Sequence, residues 1–222
     1  MAVTTTSGAS DDLAAQDVLP ASSPGPSSTI RTAWLLIVLG AVGLIASALL
    51  VIERVNVASD PDYVPPCSIN PLLSCTSAML SPQGELFGFP NPLLGVAGFP
   101  VVVATGAALL AGASMARWYW TGMWLGGLGA MIFMHWLIVE SLFSIGSLCP
   151  YCMVVWAATT PLFAVVSAYA LPRGALGQRV ARSTVVGDLL ALRWWLVGLW
   201  FVILAALIGI VFMDEWGALL LG

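Results

Sequence analysis

Apolar residues come in long, nearly unbroken runs along this chain, rather than in the one-faced stripe of a soluble helix or the alternation of a strand. A helix needs about 20 predominantly apolar residues to cross a bilayer. Five stretches reach that length: Ala33–Ile52, Leu93–Ala113, Trp118–Phe143, Pro150–Leu171 and Trp194–Met213. Ahead of them, residues 1–30 are rich in Ser, Thr, Ala, Pro and Asp with no apolar period, which predicts a disordered tail. Ala46-Ser47-Ala48 resembles a leader-cleavage site, but the apolar run continues through Leu49–Ile52 and its length suits a span better. The pattern predicts an all-α polytopic membrane protein. It divides into a tail over 1–30, a four-span unit over 31–171 with a long loop at 53–92, a second loop at 172–193, and a fifth span with a short end over 194–222.

Composition agrees. Hydrophobic residues make up 59% and charged residues 8%, against about 25% charged in soluble domains. The ten Trp suit the two membrane interfaces. No basic stripe exists, so nucleic acid is not an expected partner. Charge also sets orientation. With the N-terminus in the cytoplasm, Arg31, Arg117, Arg173, Arg179, Arg182 and Arg193 lie inside, and only Arg54 lies outside, beside Glu53 as a pairing partner. That orientation puts Cys67, Cys75, Cys149 and Cys152 all at the outer face of a bacterial cell membrane, the side where disulfides persist.

Cys149-Pro150-Tyr151-Cys152 opens the fourth span. Pro favours the first helical position, so Cys149 is the expected N-cap and Cys152 falls in the first turn. Free N–H groups and the positive helix end there favour thiolate, the attacking form. A zinc site would want a second compact pair or a nearby His, and the one His, His135, lies inside the third span. Cys67 and Cys75 are eight positions apart in the outer loop. Asn70-Pro71 reads as an N-cap and first helical residue, giving a short surface helix Pro71–Leu80 that carries Cys75, with Cys67 on a mobile segment before it. By itself this pair reads as a loop-closing disulfide. A second pair at the same face suggests thiol–disulfide exchange between them, and a lipid-soluble quinone in the bundle is the economical electron acceptor.

In this order, Cys67…Cys75, Ser81, Asn91 and Cys149-Pro150-Tyr151-Cys152 resemble the bacterial homologues of vitamin K epoxide reductase, over about residues 33–171. The resemblance implies a four-helix bundle around a quinone (menaquinone or ubiquinone), capped by the loop helix, with the fifth span outside it. It implies that Cys152 lies beside the quinone, that Cys149 exchanges with Cys75, and that Cys67 receives electrons from an extracytoplasmic thioredoxin-fold, DsbA-like partner. Asn91 would donate a hydrogen bond to a quinone carbonyl, and Ser81 matches the family's loop serine or threonine. Where vertebrate members carry a Tyr four residues after the last cysteine, this chain has Trp156, which can donate one bond but accept none. Some relatives continue into a fused thioredoxin-like domain. This chain stops at Gly222, so the partner is expected to be a separate protein. The implied activity is a quinone-dependent thiol–disulfide oxidoreductase that drives disulfide formation in exported proteins. Two rivals are a DsbB-type quinone reductase, where the C-x-x-C comes first in the chain, and a non-catalytic scaffold stapled by disulfides.

His135 and Glu140 are ionisable residues within the third span. His135 is expected to make an interhelical hydrogen bond, and Glu140 to reach the interface. Gly106, Gly112, Gly126, Gly127 and Gly129 read as helix-packing contacts.

Overall fold

A computed structural model describes residues 26–60, 62–70 and 72–213. Among them are five helices long and apolar enough to cross a membrane and no β-strand, as expected of an all-α polytopic membrane protein. The first span is Pro26–Ser59, the second Pro92–Leu110 and the third Arg117–Glu140, extended by one π-turn at Ser141–Ile145. The fourth is Pro150–Ala170 and the fifth Arg193–Val211.

The first helix overruns its apolar stretch at both ends. It already includes residues 26–30, which the tail reading left out, and it continues to Ser59. Nothing between Ile52 and Ser59 breaks a helix, and a helix closes its own backbone bonds in water as well as in lipid. Residues 1–25, and Asp214 and Glu215 with the rest of the C-terminal end, lie outside the described residues. Segment 172–193, read as a loop, carries two short helices, Gln178–Ala181 and Thr184–Ala191.

The first span is the hub of the bundle. It packs along the second and the fourth, the third packs on the fourth, and the fifth touches the fourth from outside. Gly106 lets the first two approach, because a Cβ there would sit 2.7 Å from the Ala33 carbonyl oxygen. Gly127 similarly faces Phe163 across the third and fourth spans. The other glycines expected to pack do something else. Gly112 ends a helix with a φ of 82°, and at Gly126 and Gly129 a Cβ would meet nothing within 4 Å. Polar bonds tie the third and fourth spans inside the apolar layer and at its end: Trp124 Nε1 donates to Ser167 Oγ at 3.0 Å, and Arg117 Nη2 to the Gly174 carbonyl at 2.9 Å. The second and third spans, neighbours in sequence, are not closely paired, and a cavity lies between them.

The loop after the first span folds back over one end of the bundle. Its helix is Cys75–Leu80, shorter than the expected Pro71–Leu80, and its N-cap is Ser74, whose Oγ accepts from Ser77 N at 3.3 Å. Asn70 caps no helix. Its Oδ1 accepts from Leu73 N at 2.7 Å. Leu72 to Ser74 are taken by a tertiary contact: Leu148 N donates to the Leu72 carbonyl at 2.8 Å and Ser74 N to the Leu148 carbonyl at 3.0 Å, a single parallel bridge. Backbone committed to that bridge cannot also be helical.

Candidate active site

The bridge fixes where the sulfurs meet. Leu148 immediately precedes Cys149, and Ser74 immediately precedes Cys75, so pairing Leu73 with Leu148 brings the two cysteines together. The Sγ atoms of Cys75 and Cys149 are 3.4 Å apart. Cys75 is disulfide-bonded to Cys67, whereas Cys149 and Cys152 are free thiols. Three sulfurs therefore form one contiguous path, with Cys75 in the middle.

Cys149 is the N-cap of the fourth span as its sequence suggests, with Pro150 at the first helical position. Its Sγ accepts from Cys152 N at 3.4 Å. A hydrogen bond from the Cys152 side chain holds the Cys149 thiol below its ordinary pKa; burial opposes this, and the N–H groups of Cys152 and Tyr151 add to the lowering. The Cys149 thiol at the meeting point is thereby more acidic than an ordinary cysteine, which favours exchange through it.

Cys67, expected on a mobile segment, has its side chain largely covered. Cys67 is 5% exposed, Cys75 0% and Cys149 1%, all within one apolar cluster with Leu50 and Met79. A turn closed by Ser68 N to the Pro65 carbonyl (2.9 Å) and a hydroxyl contact of Ser68 with Thr76 (3.0 Å) anchor the segment. The expected Glu53–Arg54 pair is also absent. Successive helical residues point about 100° apart and do not face each other. Arg54 pairs with Glu85 of the loop, and Glu53 accepts from the Tyr63 hydroxyl at 2.7 Å.

Cys149 and Cys152 also border the cavity between the second and third spans, about 800 Å³ in volume. Its walls are almost wholly apolar. Gly122, Gly126 and Gly129, four and three residues apart on the third span, open one side, and Trp156 and Phe99 line others. Ser81, Gln83 and Asn91 bring polar groups to its loop-covered end. Asn91 makes no capping bond to the second span. Its Nδ2 donates to the Gln83 carbonyl at 2.6 Å and its Oδ1 accepts from Leu86 N at 3.3 Å, which ties the covering loop to the start of that span. Ser81 caps the following 3₁₀ turn, Pro82–Glu85, accepting from Gly84 N at 3.2 Å. Gln83, which carried no motif in the sequence, donates from Nε2 to Glu140 Oε2 at 3.1 Å and fastens the loop to the third span.

A quinone needs a flat apolar slot, hydrogen-bond donors at a carbonyl edge and a redox partner on the wall. The size, the lining and the presence of Cys152 meet these needs. A metal finds no comparable site: among the described residues no group of three or more His, Cys, Asp or Glu converges. His135 lies away from the cavity wall. Its Nε2 accepts from Trp200 Nε1 at 2.8 Å, joining the third span to the fifth as expected of an interhelical bond.

Residues 34–167, more than half of the chain, match the family model described as the vitamin K epoxide reductase family. No curated protein matches the chain.

Proposed function

The chain belongs to the vitamin K epoxide reductase family, a membership that makes it a membrane quinone-linked disulfide oxidoreductase, and we propose that it relays electrons from an exported thioredoxin-fold, DsbA-like protein through Cys67, Cys75, Cys149 and Cys152. The supporting observation is the 3.4 Å contact of Cys75 with Cys149, at the edge of the cavity that Cys152 lines.

The steps balance as two-electron exchanges. A thiolate of the reduced partner attacks Cys67, forming a mixed disulfide and releasing Cys75 as thiolate. The partner's second thiol resolves that bond; the partner leaves oxidised and Cys67 and Cys75 are both reduced. Cys75 then attacks Cys149 of the Cys149–Cys152 disulfide, and Cys67 closes on Cys75. The loop pair is thereby reoxidised and Cys149 and Cys152 are left as a dithiol, the state seen here. Bound in the cavity, a quinone (menaquinone or ubiquinone) supplies an acceptor for two electrons and two protons. The dithiol gives up that number as it closes to a disulfide, so no separate proton source is required. Cys152 is the sulfur that faces the acceptor. Asn91 retains one amide N–H beyond its bond to Gln83 and, with the Trp156 indole N–H, can orient a carbonyl. The apolar walls disfavour water beside the exchange.

The relay works on exported proteins if the cysteine end faces outward, as the arginine distribution implies. Purified protein supplied with a water-soluble quinone should oxidise a reduced thioredoxin-fold protein, and Cys152→Ala should abolish quinone reduction. Unchanged turnover in that variant overturns the relay.

A further inference from the structure

The fifth span is the least buried of the membrane helices. No residue of Arg193–Val211 is buried, in keeping with a helix that faces lipid on most sides. Phe212, the residue that ends it, is only 3% exposed. It belongs to one buried cluster with Leu72, Leu148, Ile138 and Trp156, against which Ile208 and Val211 also pack. Leu72 and Leu148 share one of the two backbone bonds of the Leu73–Leu148 bridge beside the sulfurs.

Deeper in the bilayer the same helix is fastened again. Trp200 Nε1 can only donate, so His135 Nε2 accepts and His135 Nδ1 carries the proton that bonds the Met131 carbonyl at 2.7 Å. Both ring nitrogens are satisfied. The twelve residue-to-residue steps from Trp200 to Phe212 cover about 18 Å of helix. Two fixings at different heights determine rotation and depth, which one fixing cannot.

We infer that the fifth span is a buttress for the Cys75–Cys149 crossing, with Phe212 a positioning residue that backs the Leu73–Leu148 bridge and the Trp200–His135 bond holding Phe212 in place. The inference rests on the relay reading. Exchange between sulfurs requires close approach, and an error of about 1 Å can cost orders of magnitude in effective concentration. The bridge has two backbone bonds and, among the described residues, no neighbouring strand, so it needs packing behind it.

The test uses the full chain in lipid nanodiscs with Cys67→Ser and Cys152→Ser, leaving only Cys75 and Cys149. Equilibration against a glutathione redox buffer gives the equilibrium constant of the Cys75–Cys149 disulfide. Phe212→Ala should lower it about tenfold or more, Phe212→Leu should recover most of the loss, and Trp200→Phe should fall between. In a Cys67→Ser, Cys75→Ser background, the Cys149–Cys152 disulfide should keep its constant in all three. An unchanged Cys75–Cys149 constant in Phe212→Ala and Trp200→Phe overturns the buttress, and so does an equal fall of both disulfides, which would mean general loosening. Failure of the unsubstituted Cys75–Cys149 pair to form at all would instead overturn the relay.

Discussion

The three glycines that open the cavity give the most direct handle on the acceptor site. Gly126 is the middle one, and a Cβ added there meets nothing within 4 Å. Gly126→Leu adds four carbon atoms. At the ~30 Å³ that one water occupies, they fill about 120 Å³ of a cavity of about 800 Å³. The helix itself has no clash to relieve, and replacing a helical glycine should if anything help it. The cost falls on whatever shares the cavity. Overpacking a close-fitting site costs about 1–3 kcal/mol, which at 1.4 kcal/mol per decade is roughly 5- to 150-fold. The expected result is a rise of that order in KM for a short-chain quinone, with exchange between the two cysteine pairs, followed by mixed-disulfide trapping, unaltered. Gly198→Leu is the control. It too meets open space, but on the fifth span, outside the cavity lining, and should leave KM alone. If Gly126→Leu and Gly198→Leu have the same KM as the parent, the cavity is not where the acceptor binds.

Two further outcomes follow from the sulfur geometry. The Cys152 side chain contributes most to lowering the Cys149 pKa, so Cys152→Ala should move the pH midpoint of Cys149 alkylation by a small thiol reagent upward; no shift, or a downward one, contradicts that cause. Ser74→Ala removes the N-cap of the loop helix, which should cost about 1 kcal/mol and lower the yield of trapped Cys75–Cys149 disulfide severalfold; an unaltered yield would show that the bridge alone sets the register.

What the sequence could convey depended on the range of the interaction. The spans were legible because lipid demands a continuous apolar run, and the Pro after Cys149 marked a helix start that the structure bears out. The ends of the first span were not, since residues 26–30 and 53–59 continue a helix beyond the apolar stretch. The loop helix was misplaced because Asn70-Pro71 has good local capping chemistry, while the decisive partner of Leu72, Leu73 and Ser74 is far along the chain at Leu148. Arg54 was assigned its sequence neighbour for the same reason, and its ion pair is with Glu85. Gly126 and Gly129 look in sequence like packing glycines; only the spacing of whole helices shows that they leave room instead. Gln83 bore no signal, because an amide that fastens a loop to Glu140 has no motif.

The burial of Cys67, Cys75 and Cys149 also bears on losses. A carrier whose contacts were open to water could be discharged by stray metabolites or oxygen before its charge reached the membrane. On the proposed relay, a partner must reach Cys67 while small solutes are kept from Cys75 and Cys149, so the fidelity of transfer depends on the enclosure as much as on the chemistry of the contacts.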